Sequence, residues 1–183
     1  MSRARSALAA RTSVEKLKAA VCAAYGCRPY QDARFTDFYD VAQFCREHSE
    51  ELGGTEGSDG WCFWQVGKWA VLSDLSLALV RKPEALASLS ETLGAVVISA
   101  AVDIGFQFAA FLRAEDGEIT RRLLLEDELI TDEGVPTEAE RGIHLEDFTE
   151  VEAEQLWRHY DLPTFEHDPF DDVFDCVAVR FDG

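Results

Sequence analysis

No stretch of this chain approaches the roughly 18 to 20 uninterrupted apolar residues that a membrane-spanning helix needs. The opening MSRARSALAARTSVEKL is basic, but its apolar run is too short for the core of a signal peptide and is broken by Arg11. Cysteine is sparse and odd in number, five residues without a regular framework, which excludes a disulfide scaffold and predicts a reducing, cytoplasmic setting. Catalytic signatures are missing as well. No serine sits in a Gly-x-Ser-x-Gly elbow, and no cysteine has a motif-like neighbourhood. The loop holding Gly53, Gly54 and Gly57 also carries Glu51, Glu56 and Asp59, which would repel a phosphate.

Positive charge is the other shortage. Seventeen Lys and Arg stand against 35 Asp and Glu, a formal net charge of -18. The imbalance is local. Arg3, Arg5, Arg11, Lys16, Lys18 and Arg28 oppose only Glu15 in the first 28 residues, whereas acids dominate from Glu115 onward. A field of this sign repels nucleic-acid backbones and anionic lipid, and it draws basic partners at rates that fall with salt. The predicted partner is therefore a basic protein, with no nucleic acid and no membrane. An acidic surface that merely keeps the protein soluble is the plainer alternative.

What is present suffices for one folded domain: 183 residues, 47% of them hydrophobic, with 12 Phe, 4 Trp and 4 Tyr. Residues 1–12 read as a flexible basic tail and 13–183 as the domain. Val14, Leu17, Val21 and Tyr25 have helical spacing between a capping Ser13 and a terminating Gly26. A second amphipathic helix is expected over about 37–52. Two aromatic runs within WCFWQVGKWAVLSD, 61–74, flank a Gly67 turn and predict a β-hairpin. Pro83 opens a helix that Gly94 closes. Strands follow at 95–102, 106–113 and 118–125, the last two joined by an Asp116-Gly117 turn. Residues 126–148 read as acidic and irregular. Thr149 and Glu152 form a capping-box pattern for a fourth helix, Pro163 stops it, and 172–181 alternates like a closing strand. The expected fold class is α+β: an antiparallel meander packed with about four helices, in a single domain.

Two groups of residues could supply metal ligands. Cys45 and His48 lie one turn apart, and Cys22, Cys27 and Cys62 could converge on them. Yet no paired Cys-x-x-Cys or His-x-x-x-His unit exists, and a packed cysteine is the commoner outcome on an apolar helix face. The segment FEHDPFDDVFD, 165–175, gathers His167, Asp168, Asp171, Asp172 and Asp175, a carboxylate set that suits a hard cation but lacks the EF-hand order. A solvated acidic turn explains it equally well. No cofactor is predicted. Trp61 and Trp64, three apart on one strand, point to opposite faces, so one of them lies away from the main core. It is either covered by the N-terminal helices or serves as an aromatic anchor for a partner.

The run GKWAVLSDLSLAL, the helix ending LSETLGAVV, a strand pair and the acidic GVPTEAE segment, together spanning about residues 60–140, resemble small acidic bacterial proteins. Some of these are similar to the immunity proteins that accompany polymorphic toxins. The resemblance implies a binding role and transfers no catalytic residues. It leads to the expectation of a non-enzymatic inhibitor that neutralises a basic toxin domain. An acidic face of Glu138, Glu140, Glu146 and Asp147 would speed capture, with Trp61 and Trp64 as anchors. The rival expectations are a small metal-dependent or acid–base hydrolase using His167, Asp168, Asp171 and Asp172, and an adaptor subunit of a larger assembly.

Overall fold

A computed structural model describes residues 4–103, 105–126, 129–163 and 173–181. The chain begins with a strand, β1 (Ala4–Ala10), and the helix α1 (Val14–Tyr25). It continues through β2 (Cys27–Phe35), α2 (Phe38–His48), β3 (Ser58–Val66) and β4 (Trp69–Asp74). After α3 (Pro83–Leu93) come β5 (Val97–Asp103), β6 (Phe108–Glu115), β7 (Glu118–Glu126) and β8 (Leu129–Gly134). Short 3-10 helices at Glu138–Glu140 and Leu145–Asp147 lead to α4 (Glu150–Arg158), and β9 (Phe174–Phe181) follows. Among the described residues the nine strands form one antiparallel sheet in the order β2-β9-β3-β4-β1-β5-β6-β7-β8. The α+β class and the antiparallel run from β5 to β7 are as expected.

The local signals act where the residues place them. Ser13 Oγ accepts from the Lys16 N–H, and Gly26 ends α1 at φ 65°, in the left-handed region. Asp116 and Gly117 both take positive φ, the geometry of a two-residue hairpin turn whose twist matches its strands. In α4, Thr149 and Glu152 close a capping box, with the Glu152 carboxylate accepting from both the N–H and the hydroxyl of Thr149.

The sheet is covered on both faces, and the strand alternation sorts the core accordingly. One face packs Leu8, Trp61, Phe63, Leu72, Ala101 and Leu112 beneath α1 and α3. The other packs Trp69, Val71, Ile98 and Phe111 beneath Leu156 and Trp157 of α4. Further along this second face, α2 seats Val41, Phe44 and Cys45 on Cys62, Phe174 and Cys176. Gly60 permits that seat, since a Cβ there would lie 2.5 Å from the Cys45 Cα.

Two expectations are corrected, and one strand is added. The basic tail is no tail: β1 lies at the centre of the sheet, paired with β4 and β5 over its length. Its alanines suit a strand squeezed between helices on both sides, where larger side chains would not fit. Residues 27–35, not read as structured, form the edge strand β2. Pro29 is tolerated there because an edge leaves some N–H groups unpaired, and the pairing with β9 shifts register between Pro29 and Gln31. The irregular acidic region contains the opposite edge strand, β8, whose charges are those a protected sheet edge carries. Among the described residues, no helix is long and apolar enough to cross a membrane.

Candidate functional site

The acid-rich segment is organised by one buried cation. Arg121 projects from β7 onto the α4 side of the sheet and is fully buried. Its Nε donates to Glu140 Oε1 at 2.9 Å and its Nη2 to Glu140 Oε2 at 2.6 Å. The remaining Nη1 donates to Asp132 and to the Glu133 carbonyl on β8. Glu140 Oε1 also accepts from the Thr137 N–H at 2.8 Å, completing a capping box on the 3-10 turn. Burial opposes the guanidinium charge, but the hydrogen bonds to Glu140 and then Asp132 outweigh it and hold Arg121 above the ordinary arginine range. One side chain thus ties β7, β8 and the following turn together. Gly134 is pinned in the same place at φ 90°, because a Cβ would meet the Thr120 carbonyl oxygen at 2.2 Å.

The predicted face is therefore split. Glu140 is a buried structural partner and cannot greet a ligand, which corrects its assignment. Glu138 is exposed and shares a solvent-screened pair with Arg141 at 3.0 Å. Glu146 is exposed as well, while the side chain of Asp147 lies outside the described residues. The same stretch of chain also exposes apolar residues that sequence reasoning missed. Ile130 on β8 is 39% exposed, Val135 just beyond it 77%, and Val151 on α4 62%. Ile130 stays in water because its strand is an edge with no neighbour beyond it, and neighbouring sequence does not reveal edges.

The tryptophans part as alternation requires. Trp61 is fully buried under α1 and α3, with its indole N–H donated to Asp59 Oδ2 at 2.9 Å, so it is a core residue and no interface anchor. Trp64 is half-buried on the opposite face, where it meets Phe174 edge-on at 5.7 Å. The elements around it are α2 and β9, not the first helix.

Trp61 seals a pair of carboxyls that the sequence did not announce. Asp59 and Asp74 are both buried, and the Ser76 hydroxyl lies 2.8 Å from Asp59 Oδ2 and 3.0 Å from Asp74 Oδ2. A single hydroxyl proton serves one of them, so the second contact calls for a carboxylic proton on the other. Burial, reinforced by the charge of Asp74, pushes Asp59 up to about 7, and burial likewise raises Asp74. Ser6 stands opposite Asp74 across the β1–β4 ladder. Its hydroxyl is buried beside the Asp74 carboxyl, and the contact between them opposes the rise that burial imposes on Asp74. The pair resembles an acid–base dyad only in chemistry. Both groups are closed to substrate.

Two further groups of candidates remain. His167, Asp168, Asp171 and Asp172 lie outside the described residues. Cys45 and Cys62 do approach each other, joined by Cys176 rather than by Cys22 or Cys27, and His48 instead shares a 2.7 Å hydrogen bond with the Tyr30 hydroxyl. Among the described residues no group of three or more His, Cys, Asp or Glu is arranged to hold a metal. A separate cleft of about 300 Å³ opens between Pro83 of α3 and Phe108, Leu112 and Leu124 of the sheet, with Arg81 and Arg122 at its lining.

No family model, curated protein or solved structure matches this chain. The functional reading rests on its own residues.

Proposed function

We propose that the chain is a stoichiometric protein-binding inhibitor of the immunity-protein kind, which captures a basic partner at the acidic edge of its sheet. The observation that carries this reading is the company of Ile130 and Val135. They are exposed apolar side chains on and just after an edge strand, in an acidic stretch whose Asp132, Glu133 and Glu138 each share an arginine and keep partly exposed carboxylates. A partner's apolar residues would supply affinity there, and the surrounding carboxylates would supply approach rate and selectivity. Arg121 and Gly134 hold that edge in place beforehand, which lowers the ordering cost of binding.

The reading is tested by passing lysate of the native host over the immobilised chain at low and high salt. A basic protein retained in equal proportion, and released by salt, is the expected result. The double variant Glu138→Gln, Glu146→Gln should slow its association and flatten the salt dependence, while Val135→Asp should speed its release. Retention that ignores all three substitutions sinks the proposal.

A further inference from the structure

We propose that Cys22 and Cys27 form a reversible thiol–disulfide site, oxidised by low-molecular-weight disulfides. The five cysteines fall into two sets with opposite environments. Cys45, Cys62 and Cys176 are buried together between α2, β3 and β9, with Cys62 and Cys176 directly opposed across the ladder. The hydrogen bond to Cys62, followed by burial, pushes the Cys45 thiol well up, and burial raises Cys176. Thiols held in this way are poor nucleophiles.

Cys22 and Cys27 are placed otherwise. Cys22 sits in the last turn of α1, and Gly26 reverses the chain so that Cys27 opens β2. Gly26 takes the left-handed cap conformation and donates its N–H to the Cys22 carbonyl. That reversal folds the residue after it, Cys27, back against the last turn that carries Cys22, and both pack on the same core. Cys22 is half-buried and reachable from solvent, whereas Cys27 is 5% exposed. The hydrogen bond from Cys27 leads in lowering the Cys22 thiol. Burial and Asp32 oppose it, and Lys18, one turn earlier and 3.3 Å from Asp32, assists. An accessible, thiolate-prone cysteine beside a shielded second thiol is the arrangement of an attacking and a resolving pair.

The chemistry balances in two steps. The Cys22 thiolate attacks one sulfur of the oxidant disulfide, cleaving its S–S bond and expelling one thiolate, which takes a proton from solvent. The Cys27 thiol then loses its proton and attacks the Cys22 sulfur, expelling the second thiol. Two protein thiols are oxidised to one disulfide, and one small disulfide is reduced to two thiols. The product would tie the end of α1 to the start of edge strand β2.

The folded full-length chain at neutral pH, exposed to oxidised glutathione, acid-quenched and alkylated, provides the test. Trypsin leaves the Arg28–Pro29 bond intact, so residues 19–34 emerge as one peptide carrying both cysteines. The expected product is that peptide lacking two hydrogens and refusing alkylation, restored by dithiothreitol. In Cys27→Ser a glutathione adduct should persist on Cys22, and in Cys22→Ser neither product should form. Iodoacetamide should label Cys22 about tenfold faster than Cys45, Cys62 or Cys176 in the wild-type chain. That comparison decides the matter even if the Cys27 variant does not fold. A lasting wild-type adduct on Cys22, or a disulfide mapped to the other three cysteines, would overturn the proposal.

Discussion

Arg121 and Glu140, nineteen residues apart, meet as a two-pronged ion pair with both side chains out of water, at 2.6 Å for the closest contact. Removing either partner strands the other charge in the interior. Arg121→Ala or Glu140→Ala should therefore cost about 3 to 5 kcal/mol of unfolding free energy. Glu138→Ala, which breaks an exposed pair two residues away, should stay within about 1 kcal/mol. Urea denaturation of the three variants separates the roles. Equal losses would contradict the buried assignment.

The carboxyl pair at Asp59 and Asp74 makes stability depend on pH in an unusual direction. Asp59 titrates near 3.8 when free and near 7 when folded, so folding favours its protonated form. That contribution is complete below the unfolded value and is lost as pH rises through about 7. The loss amounts to at most roughly 4 kcal/mol, since each pKa unit is worth about 1.4 kcal/mol. Denaturant midpoints should fall between about pH 4 and pH 7 and level off above that, and Asp59→Asn should flatten the slope.

Gly60 lies where α2 presses on β3, with the Cys45 Cα and carbonyl oxygen within 2.8 Å of any added Cβ. Backbone atoms cannot swing aside. Gly60→Ala should cost about 3 kcal/mol through overpacking. Gly67, in the hairpin turn, has open space at the same position and takes φ 55°, so Gly67→Asn should be far milder. Thermal melting of the two variants provides the comparison.

Deleting residues 1–10 removes a central strand and leaves β4 and β5 with facing unpaired ladders. The truncated chain should lose cooperative unfolding altogether, as seen by circular dichroism during heating. A loose tail would come away at no cost.

Much of this fold was written in short-range chemistry. The caps at Ser13, Gly26, Gly94 and Thr149, the proline at the start of α3 and the Asp116-Gly117 turn each act within a few residues, so reading them required no partner. The opposed facing of Trp61 and Trp64 followed from strand alternation alone. What sequence could not supply was position across the sheet. β1 is a strand of small residues whose burial comes from β4, β5 and two helix layers, all distant along the chain. β2 and β8 look unstructured because edge strands carry charge and proline.

The candidate site divides along the same line. Composition alone determined that the chain is strongly acidic and that its carboxylates gather in the second half. Only the tertiary structure decided which of them face water. Glu138 and Glu140 stand two residues apart in the same acidic run, yet one is solvated and the other is held by Arg121. Burial of a charge depends on a partner delivered from another strand, and chain order does not carry that information.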